Sequence, residues 1–256
     1  LPELRELAIA FQGQDMLKEP IHISATAHYS MGGIPTNINC EVRKNPRETV
    51  EGFYAAGECS CVSVHGANRL GANSVLEALL FGRHAGENMV KKLNQGIKLK
   101  KATPADAQRM LDEIETIKTS NGNESVSGLR AELQAGMTDN AGVFRTKKSL
   151  EKQLKSIDSL LKRFKHIRID DKSNTFNTDL QEALELGHML EFSKFIVYGA
   201  LIREESRGGH FREDFPQRDD KKFLKHTYAY MDEAYNITTE WGDVVLGKFE
   251  PKERSY

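Results

Sequence analysis

The sequence predicts a mixed α/β segment, then an all-helical segment, and finally a small C-terminal α+β unit. Three observations lead to this fold class. Short apolar runs alternate with turn residues over the first ninety-odd positions, long helical patterns with end signals occupy roughly 104–206, and two alternating runs follow. The 256 residues are enough for one large domain or for two to three small ones.

The first segment should begin with a helix over residues 3–17, which Pro20 ends, followed by a strand over 21–29, where "IHISATAHY" alternates. A turn is expected at Asn45-Pro46, before a short apolar run that stops at Gly57.

A strong helix is expected to begin at Asn73. Ser74 is followed three residues later by Glu77, a spacing that predicts a capping box.

Four helical patterns follow, over 104–119, 127–138, 146–166 and from Asn177 to about Ser206. Thr103-Pro104 is typical of a helix start, Thr178 and Gln181 suggest a second capping box, and Gly208-Gly209 is the expected stop. The pattern predicts an antiparallel bundle. The runs "KHTYAYM" and "ITTEWGDVVLGKF" suit a hairpin, and the charged loop over 203–220 suits a network of ion pairs at a domain junction.

Composition excludes several classes of protein. With 39% hydrophobic residues, 29% charged residues and a net charge of -1, the chain is neither disordered nor basic enough to predict nucleic-acid binding. The longest apolar stretch starts at Phe192 and is too short for a membrane span. Because the chain opens on Leu1 without a signal pattern, we expect it to be a piece of a longer protein.

Three cysteines argue against a disulfide framework and favour a reducing compartment: Cys40, Cys59 and Cys61. Cys59 and Cys61 lack the further cysteines or histidines that a zinc site needs, so we interpret both as small buried packing residues. No Walker loop and no G-x-G-x-x-G motif is present, so the phosphate-binding half of any nucleotide site would lie elsewhere.

The stretch "GECSCVSVHGANRLGANSVLEALLFGRHAG" carries most of the candidate chemistry. Glu58 follows a short strand, where a carboxylate can accept hydrogen bonds from ribose hydroxyls, although a solvated loop glutamate is the alternative. Arg69 lies between Gly66 and Gly71 and just before a helix start, so three anion-binding devices converge there. A surface arginine in an ion pair is the alternative for Arg69.

Two histidines are candidates for ligand contact, with a purely structural role as the alternative for each. His65 opens the "HGANR" segment, and His28 precedes Tyr29 and the Gly32-Gly33 pair in "AHYSMGGIPTN". Glycine allows another group to approach the backbone closely, so a ring at this turn is either packed under a loop or presented to a small molecule.

These stretches, together with "ESRGGHFREDFPQRDDKKFLKHT", closely resemble the flavoprotein subunit of the succinate dehydrogenase and fumarate reductase family. The resemblance covers essentially the whole chain, as the C-terminal part of that subunit. It implies the tail of a capping domain over 1–20, the C-terminal part of a doubly wound FAD-binding domain over 21–97, a helical bundle domain over 98–206 and a small C-terminal domain over 207–256.

The resemblance also implies roles for five residues. His28 and Arg69 would bind the carboxylates of the substrate, and Glu58, Ser74 and Val75 would contact FAD. On the same resemblance, the Gly32-Gly33 pair would let the ligand come close to the backbone. The glycine-rich phosphate site, the histidine that attaches FAD and the proton-shuttling arginine of the family would precede Leu1, so we expect the isolated chain to be inactive.

The implied reaction interconverts fumarate and succinate, and the direction stays open. The implied partners are an iron–sulfur subunit and membrane anchor subunits with quinone, at the cytoplasmic face of a bacterial inner membrane; nucleic acid is not expected. Two alternatives remain: L-aspartate oxidase, a soluble FAD enzyme that shares the "HGANR" region, and a non-catalytic docking piece for an iron–sulfur subunit.

Overall fold

The first part of the chain combines helices with two small sheets. The computed structural model describes residues 2–23, 28–97, 101–248 and 250–252. Its first elements are α1 (Pro2–Gln12), β1 (Ile34–Pro35), β2 (Glu41–Arg43), β3 (Thr49–Tyr54), β4 (Ser60–Cys61) and α2 (Asn73–Asn94). Strands β1 and β4 pair in parallel, whereas β2 and β3 are antiparallel and joined by the predicted turn.

Two predictions at the start of the chain need correction. The first helix ends at Gln12, because Gly13 takes a φ of 69° that a right-handed helix cannot continue. Of the predicted strand over 21–29, the described residues 21–23 and 28–29 are not in a strand, and residues 24–27 lie outside the described part.

Helix α2 begins at Asn73 as predicted, but not with a capping box. Its N-cap is Ala72, in a left-handed conformation with a φ of 67° and without a side-chain cap. The Glu77 carboxylate accepts a hydrogen bond from Tyr29 instead, 48 positions away along the chain. The first turn of α2 is therefore left without a side-chain cap.

The helical segment contains α3 (Pro104–Thr119), α4 (Val126–Ala141), α5 (Lys147–Phe164) and α6 (Thr178–Ile202). The principal core lies among α4, α5 and α6, with fully buried leucines from each, whereas α3 buries no residue completely. The predicted start of α3 is confirmed, because the Thr103 side chain accepts a hydrogen bond from the Asp106 amide and Pro104 is the first helical residue.

Side-chain contacts show that α4 and α5 are antiparallel. Asn140, near the end of α4, donates a hydrogen bond to Gln153 in α5. Further along α5, Arg163 binds Glu132, which lies earlier in α4.

The same argument applies to α5 and α6. Lys194 in α6 pairs with Asp158, and Gly187, earlier in α6, lies beside the ring of Phe164 at the end of α5. The antiparallel packing of these helices is thus confirmed.

The ends of α6 differ from the prediction. Asn177 caps the helix by accepting a hydrogen bond from the Leu180 amide, so the Thr178 capping box was wrong. The helix stops at Ile202, six residues before Gly208, because Arg203 is extended and its guanidinium binds the carbonyls of Phe223 and Lys225.

The chain ends with α7 (Asp220–Phe223) and a hairpin of β5 (Lys225–Met231) and β6 (Ile237–Asp243), which confirms the predicted hairpin. The charged loop before it is indeed an ion-pair network, centred on the buried Glu205 and Arg212. Over the described ranges, no helix has the length and apolar character needed to cross a membrane. The mixed α/β and helical class is confirmed, whereas the four domain boundaries stay a prediction.

Candidate functional site

A buried carboxylate in α2 joins two rings from separate segments. Glu77 is only 4% exposed, and one of its oxygens accepts a hydrogen bond from the Tyr29 hydroxyl at 3.0 Å and lies 3.3 Å from Nε2 of His65. The two rings meet edge to face, with centroids 5.6 Å apart. This Tyr29–His65–Glu77 cluster fixes the 28–33 and 60–66 segments against α2.

The tyrosine is held in its protonated form. Burial, the hydrogen bond to Glu77 and the charge of that carboxylate raise the pKa of Tyr29 to about 12. At neutral pH the Tyr29 hydroxyl is therefore a permanent donor to Glu77.

The guanidinium of Arg69 lies over the Tyr29 ring. Its Cζ is 4.8 Å from the Tyr29 ring centroid, a cation–π geometry. One guanidinium nitrogen donates to the Leu70 carbonyl at 3.2 Å, while the buried Nε has no hydrogen-bond partner among the described residues. Within the same described ranges no carboxylate pairs with Arg69. A positioned guanidinium with unused donors suits an anion.

His28 and Glu58 are exposed on the segments next to this cluster. Among the described residues, the His28 side chain makes no hydrogen bond that would place it against Arg69. Glu58 accepts a weak hydrogen bond, 3.4 Å long, from the Ser30 amide and otherwise faces solvent. The structure therefore brings Arg69 and His65 together through Tyr29 and Glu77, whereas His28 and Glu58 are exposed on the neighbouring segments.

The Gly32-Gly33 pair serves a contact within the chain. The Ile34 amide donates to the Cys59 carbonyl at 2.9 Å, and a Cβ on Gly33 would lie 2.5 Å from that same oxygen. No described atom lies within 4 Å of the corresponding position on Gly32. We expected a ligand to come close to this backbone; at Gly33 the group that comes close is instead the backbone carbonyl of Cys59.

The interpretation of the two later cysteines was wrong for one of them. Cys59 is exposed and Cys61 is partly buried, whereas Cys40 is completely buried, with its thiol 3.4 Å from the Phe81 carbonyl. The Cys59 carbonyl accepts the hydrogen bond from the Ile34 amide, and the exposed Cys59 thiol lies 3.5 Å from the Ala56 carbonyl.

Ser74 and Val75 lie in the first turn of α2. Ser74 is partly buried and Val75 is 65% exposed. The Asn73 amide donates to the Leu70 carbonyl at 3.2 Å, but no side chain caps this helix start, and the helix dipole places partial positive charge there.

Sequence reasoning assigned no role to Tyr29 and gave Glu77 only a capping role. The signal at Glu77 is its position between Leu76 and Ala78 in an otherwise apolar stretch, but its spacing from Ser74 favoured a capping role. Tyr29 is adjacent to His28, and this proximity is the signal that could have found it.

A cavity of about 20 Å³ between the 29–32 and 60–66 segments, lined by Glu77, has room for about one water molecule.

Two protein-family models match the chain. The model described as "FAD binding domain" matches residues 1–75, and "Fumarate reductase flavoprotein C-term" matches residues 130–256.

Curated relatives match nearly the whole chain. It is 40% identical over 250 residues to the succinate dehydrogenase flavoprotein subunit of Rickettsia bellii, with 96% of this chain and 42% of the relative covered. It is also 40% identical to the fumarate reductase flavoprotein subunit of Escherichia coli, with 100% of this chain and 42% of the relative covered. The chain thus spans less than half the length of these relatives.

A solved structure of E. coli quinol fumarate reductase superimposes with a TM-score of 0.89 at 39% identity. The match covers 99% of this chain and 43% of the other. The similarity therefore extends through the α/β part, the bundle and the C-terminal hairpin.

Proposed function

This chain belongs to the family of succinate dehydrogenase and fumarate reductase flavoprotein subunits, and we propose that the protein it represents interconverts fumarate and succinate by hydride transfer with FAD. The observation that carries the proposal is the state of Arg69. Its guanidinium is held on the Tyr29 ring, and its buried Nε has no hydrogen-bond partner among the residues described.

Fumarate and succinate each carry two carboxylates, and an arginine at position 69 suits the binding of one of them. A guanidinium offers a planar fork of donors that binds one carboxylate in two places and stays charged at any working pH. The Tyr29 ring below it restricts the rotamer of Arg69, so less side-chain entropy is lost when the anion binds. His28 is proposed to bind the second carboxylate, by its match to the family motif.

Arg69 also contributes to catalysis by orientation. Holding one carboxylate firmly fixes the angle between that group and the carbon–carbon double bond, and a carboxylate twisted from the plane makes fumarate a better hydride acceptor. The uncapped start of α2 adds partial positive charge at the same end of the site.

The residues present fit FAD. Glu58 offers an exposed carboxylate for ribose hydroxyls, and Ser74 and Val75 lie in a helix turn whose amides no side chain caps. Bound FAD supplies the hydride chemistry of this reaction. The chain's own contribution is to bind the cofactor's polar atoms and to stabilise negative charge near the start of α2.

The proposed partners follow from the family. The protein is inferred to associate with an iron–sulfur subunit and, through it, with membrane anchor subunits and quinone, at the cytoplasmic face of a bacterial inner membrane. The net charge of -1 gives no reason to propose nucleic acid as a partner.

The two alternatives are less well supported. The names of the relatives favour succinate dehydrogenase or fumarate reductase over L-aspartate oxidase. A purely docking role would leave the positioned Arg69 without a purpose.

The test uses the full-length flavoprotein with Arg69→Ala. Fumarate reduction with a reduced dye should fall by roughly 10²–10⁴-fold, because a charge-assisted pair in a water-poor site is lost. Arg168→Ala is the matched control, since the Arg168 side chain is 62% exposed and, among the residues that the structure describes, forms an ion pair with Asp170 alone. Near-wild-type turnover in the Arg69 variant would refute the assignment, and oxidation of L-aspartate by the unchanged protein would make it a soluble oxidase instead.

A further inference from the structure

A turn from the charged C-terminal loop packs directly on the segment that carries Arg69. In this turn Arg207 and His210 pair by backbone hydrogen bonds, and the two glycines between them face Ala67. The Gly209 amide donates to the Ala67 carbonyl at 2.9 Å. Ala67 precedes Arg69 by two residues, so the turn and the substrate-binding segment share one contact.

Only one of the two glycines is required by this contact. Gly208 has a φ of 59°, and a Cβ there would lie 2.4 Å from the carbonyl oxygen of Ala67 and 2.8 Å from its Cβ. At Gly209 a Cβ would lie 3.7 Å from the same oxygen, an ordinary van der Waals distance. Any side chain on Gly208 must therefore move either the turn or the Ala67 backbone.

The turn cannot move easily. Arg207 makes a two-point pair with the fully buried Glu205 at 2.9 Å and a further bond with Asp220 at 2.7 Å. At the other end, the His210 ring lies 3.0 Å from the Arg203 carbonyl and 3.1 Å from the Arg145 guanidinium. Displacing the turn would break several buried hydrogen bonds.

Arg69, at the other end of the 67–69 segment, is also held in place. Arg69 rests on the Tyr29 ring, and the Tyr29 hydroxyl is bound to the buried Glu77. The segment 67–69 thus contacts the 207–210 turn through Ala67 and the Tyr29 ring through Arg69.

We propose that Gly208 is a positioning residue for substrate binding: by letting the 207–210 turn seat on Ala67, it sets the orientation of Arg69 toward the substrate carboxylate. This inference rests on the proposed function, because it needs Arg69 to be the carboxylate-binding group. It gives the C-terminal loop a direct influence on the site.

The experiment compares Gly208→Ala with Gly209→Ala in the full-length flavoprotein. Gly208→Ala should raise the KM for fumarate by about tenfold or more, with a smaller change in kcat, since a shift of about 1 Å in a positioning contact can cost up to 10²-fold. Gly209→Ala should change the KM by less than about twofold, because its added methyl meets only ordinary contact distance. Flavin content and thermal midpoint are measured for both variants.

A double-mutant cycle distinguishes positioning from general destabilisation. In an Arg69→Lys background the guanidinium fork is already lost, so Gly208→Ala should raise the KM far less than in the unchanged protein. Should Gly208→Ala fail to fold, Arg207→Lys takes its place in the cycle, because it removes the two-point pair with Glu205 that anchors the same turn.

Each of the following results would overturn the inference. The first is an equal change in the KM for fumarate in the two glycine variants. The second is a Gly208→Ala effect on the KM that is as large in the Arg69→Lys background as in the unchanged protein. The third, if Arg207→Lys is used instead, is an effect on the KM that adds fully to that of Arg69→Lys. If instead Arg69→Lys and Arg69→Ala themselves leave fumarate binding unchanged, the proposed function fails as well. An impaired Arg69 variant with a silent Gly208 variant overturns this inference alone.

Discussion

Replacing Glu205 with alanine is expected to lower the free energy of unfolding of this chain by about 3 kcal/mol. The Glu205 carboxylate is completely buried and accepts four hydrogen bonds. One comes from Arg203 at 2.6 Å, two from Arg207 at 2.9 Å each and one from the Asp219 amide at 3.0 Å. Removing it takes away the anion that these two guanidinium groups share.

The magnitude follows from what those two arginines keep. Breaking a buried pair by deleting one partner costs about 3–5 kcal/mol, because the remaining charge stays buried. Arg203 retains the carbonyls of Phe223 and Lys225, and Arg207 retains Asp220. The loss should therefore lie at the lower end of that range.

The assay is urea denaturation followed by the fluorescence of Trp241, the only tryptophan of the chain. Arg203 lies over its ring, with Cζ 5.4 Å from the ring centroid, so the signal reports on this network. The matched control is Glu204→Ala. The neighbouring Glu204 side chain is 43% exposed and has one ion pair, with Lys222 at 3.3 Å, worth at most about 1 kcal/mol. Equal losses in the two variants would refute the reasoning.

The effect should depend on pH with a defined sign. Burial alone would raise the pKa of Glu205, but the hydrogen bonds from Arg207, the Asp219 amide and Arg203 lower it overall. A carboxyl whose pKa is lowered on folding contributes its stability above its ordinary value of about 4.5, and loses it as the pH falls through the lower folded value. The difference between the unchanged chain and Glu205→Ala should therefore be full at pH 7 and shrink in acid below about pH 4.5.

Three further predictions concern single side chains. Tyr29→Phe should lower the free energy of unfolding by about 1.5–3 kcal/mol in urea denaturation, because the buried Glu77 loses a hydrogen bond, and an unchanged midpoint would contradict this. Hydrogen bonds from Arg212 lower the pKa of Asp214 to about 2, so the contribution of Asp214 to stability should be lost between about pH 4 and pH 2. Asp214→Asn should remove this loss of stability in acid, and a variant that still loses the same stability over this range would show that another group is its source. Leu186→Ala should cost about 2–5 kcal/mol in the same denaturation assay, since the side chain is fully buried among the bundle helices, and a loss below 1 kcal/mol would show that the core relaxes around the change.

Sequence patterns predicted the parts of this fold that depend on neighbours along the chain. The helices of the bundle and the final hairpin were found because apolar periodicity and turn residues are local signals. The start of α3 was correct for the same reason, since the Thr103 side chain reaches an amide only three residues away. At α2 the same kind of signal failed. The Glu77 side chain is bound by Tyr29 from a distant segment, and no local rule contains that partner.

The candidate site divides in the same way. Arg69 could be singled out from its glycine neighbours and the following helix, and the family resemblance then supplied its role. Tyr29 and Glu77 were missed because their value lies in a contact between segments.

Gly208 is the clearest case. The sequence suggested a helix stop, yet α6 ends six residues earlier and the positive φ of Gly208 serves a contact with Ala67 from the opposite part of the chain. The expectations that failed at Gly33, Glu77 and Gly208 all concern contacts that join the segments around Arg69. At these three positions the contact with a distant backbone or ring explains the residue better than the local turn or capping pattern does.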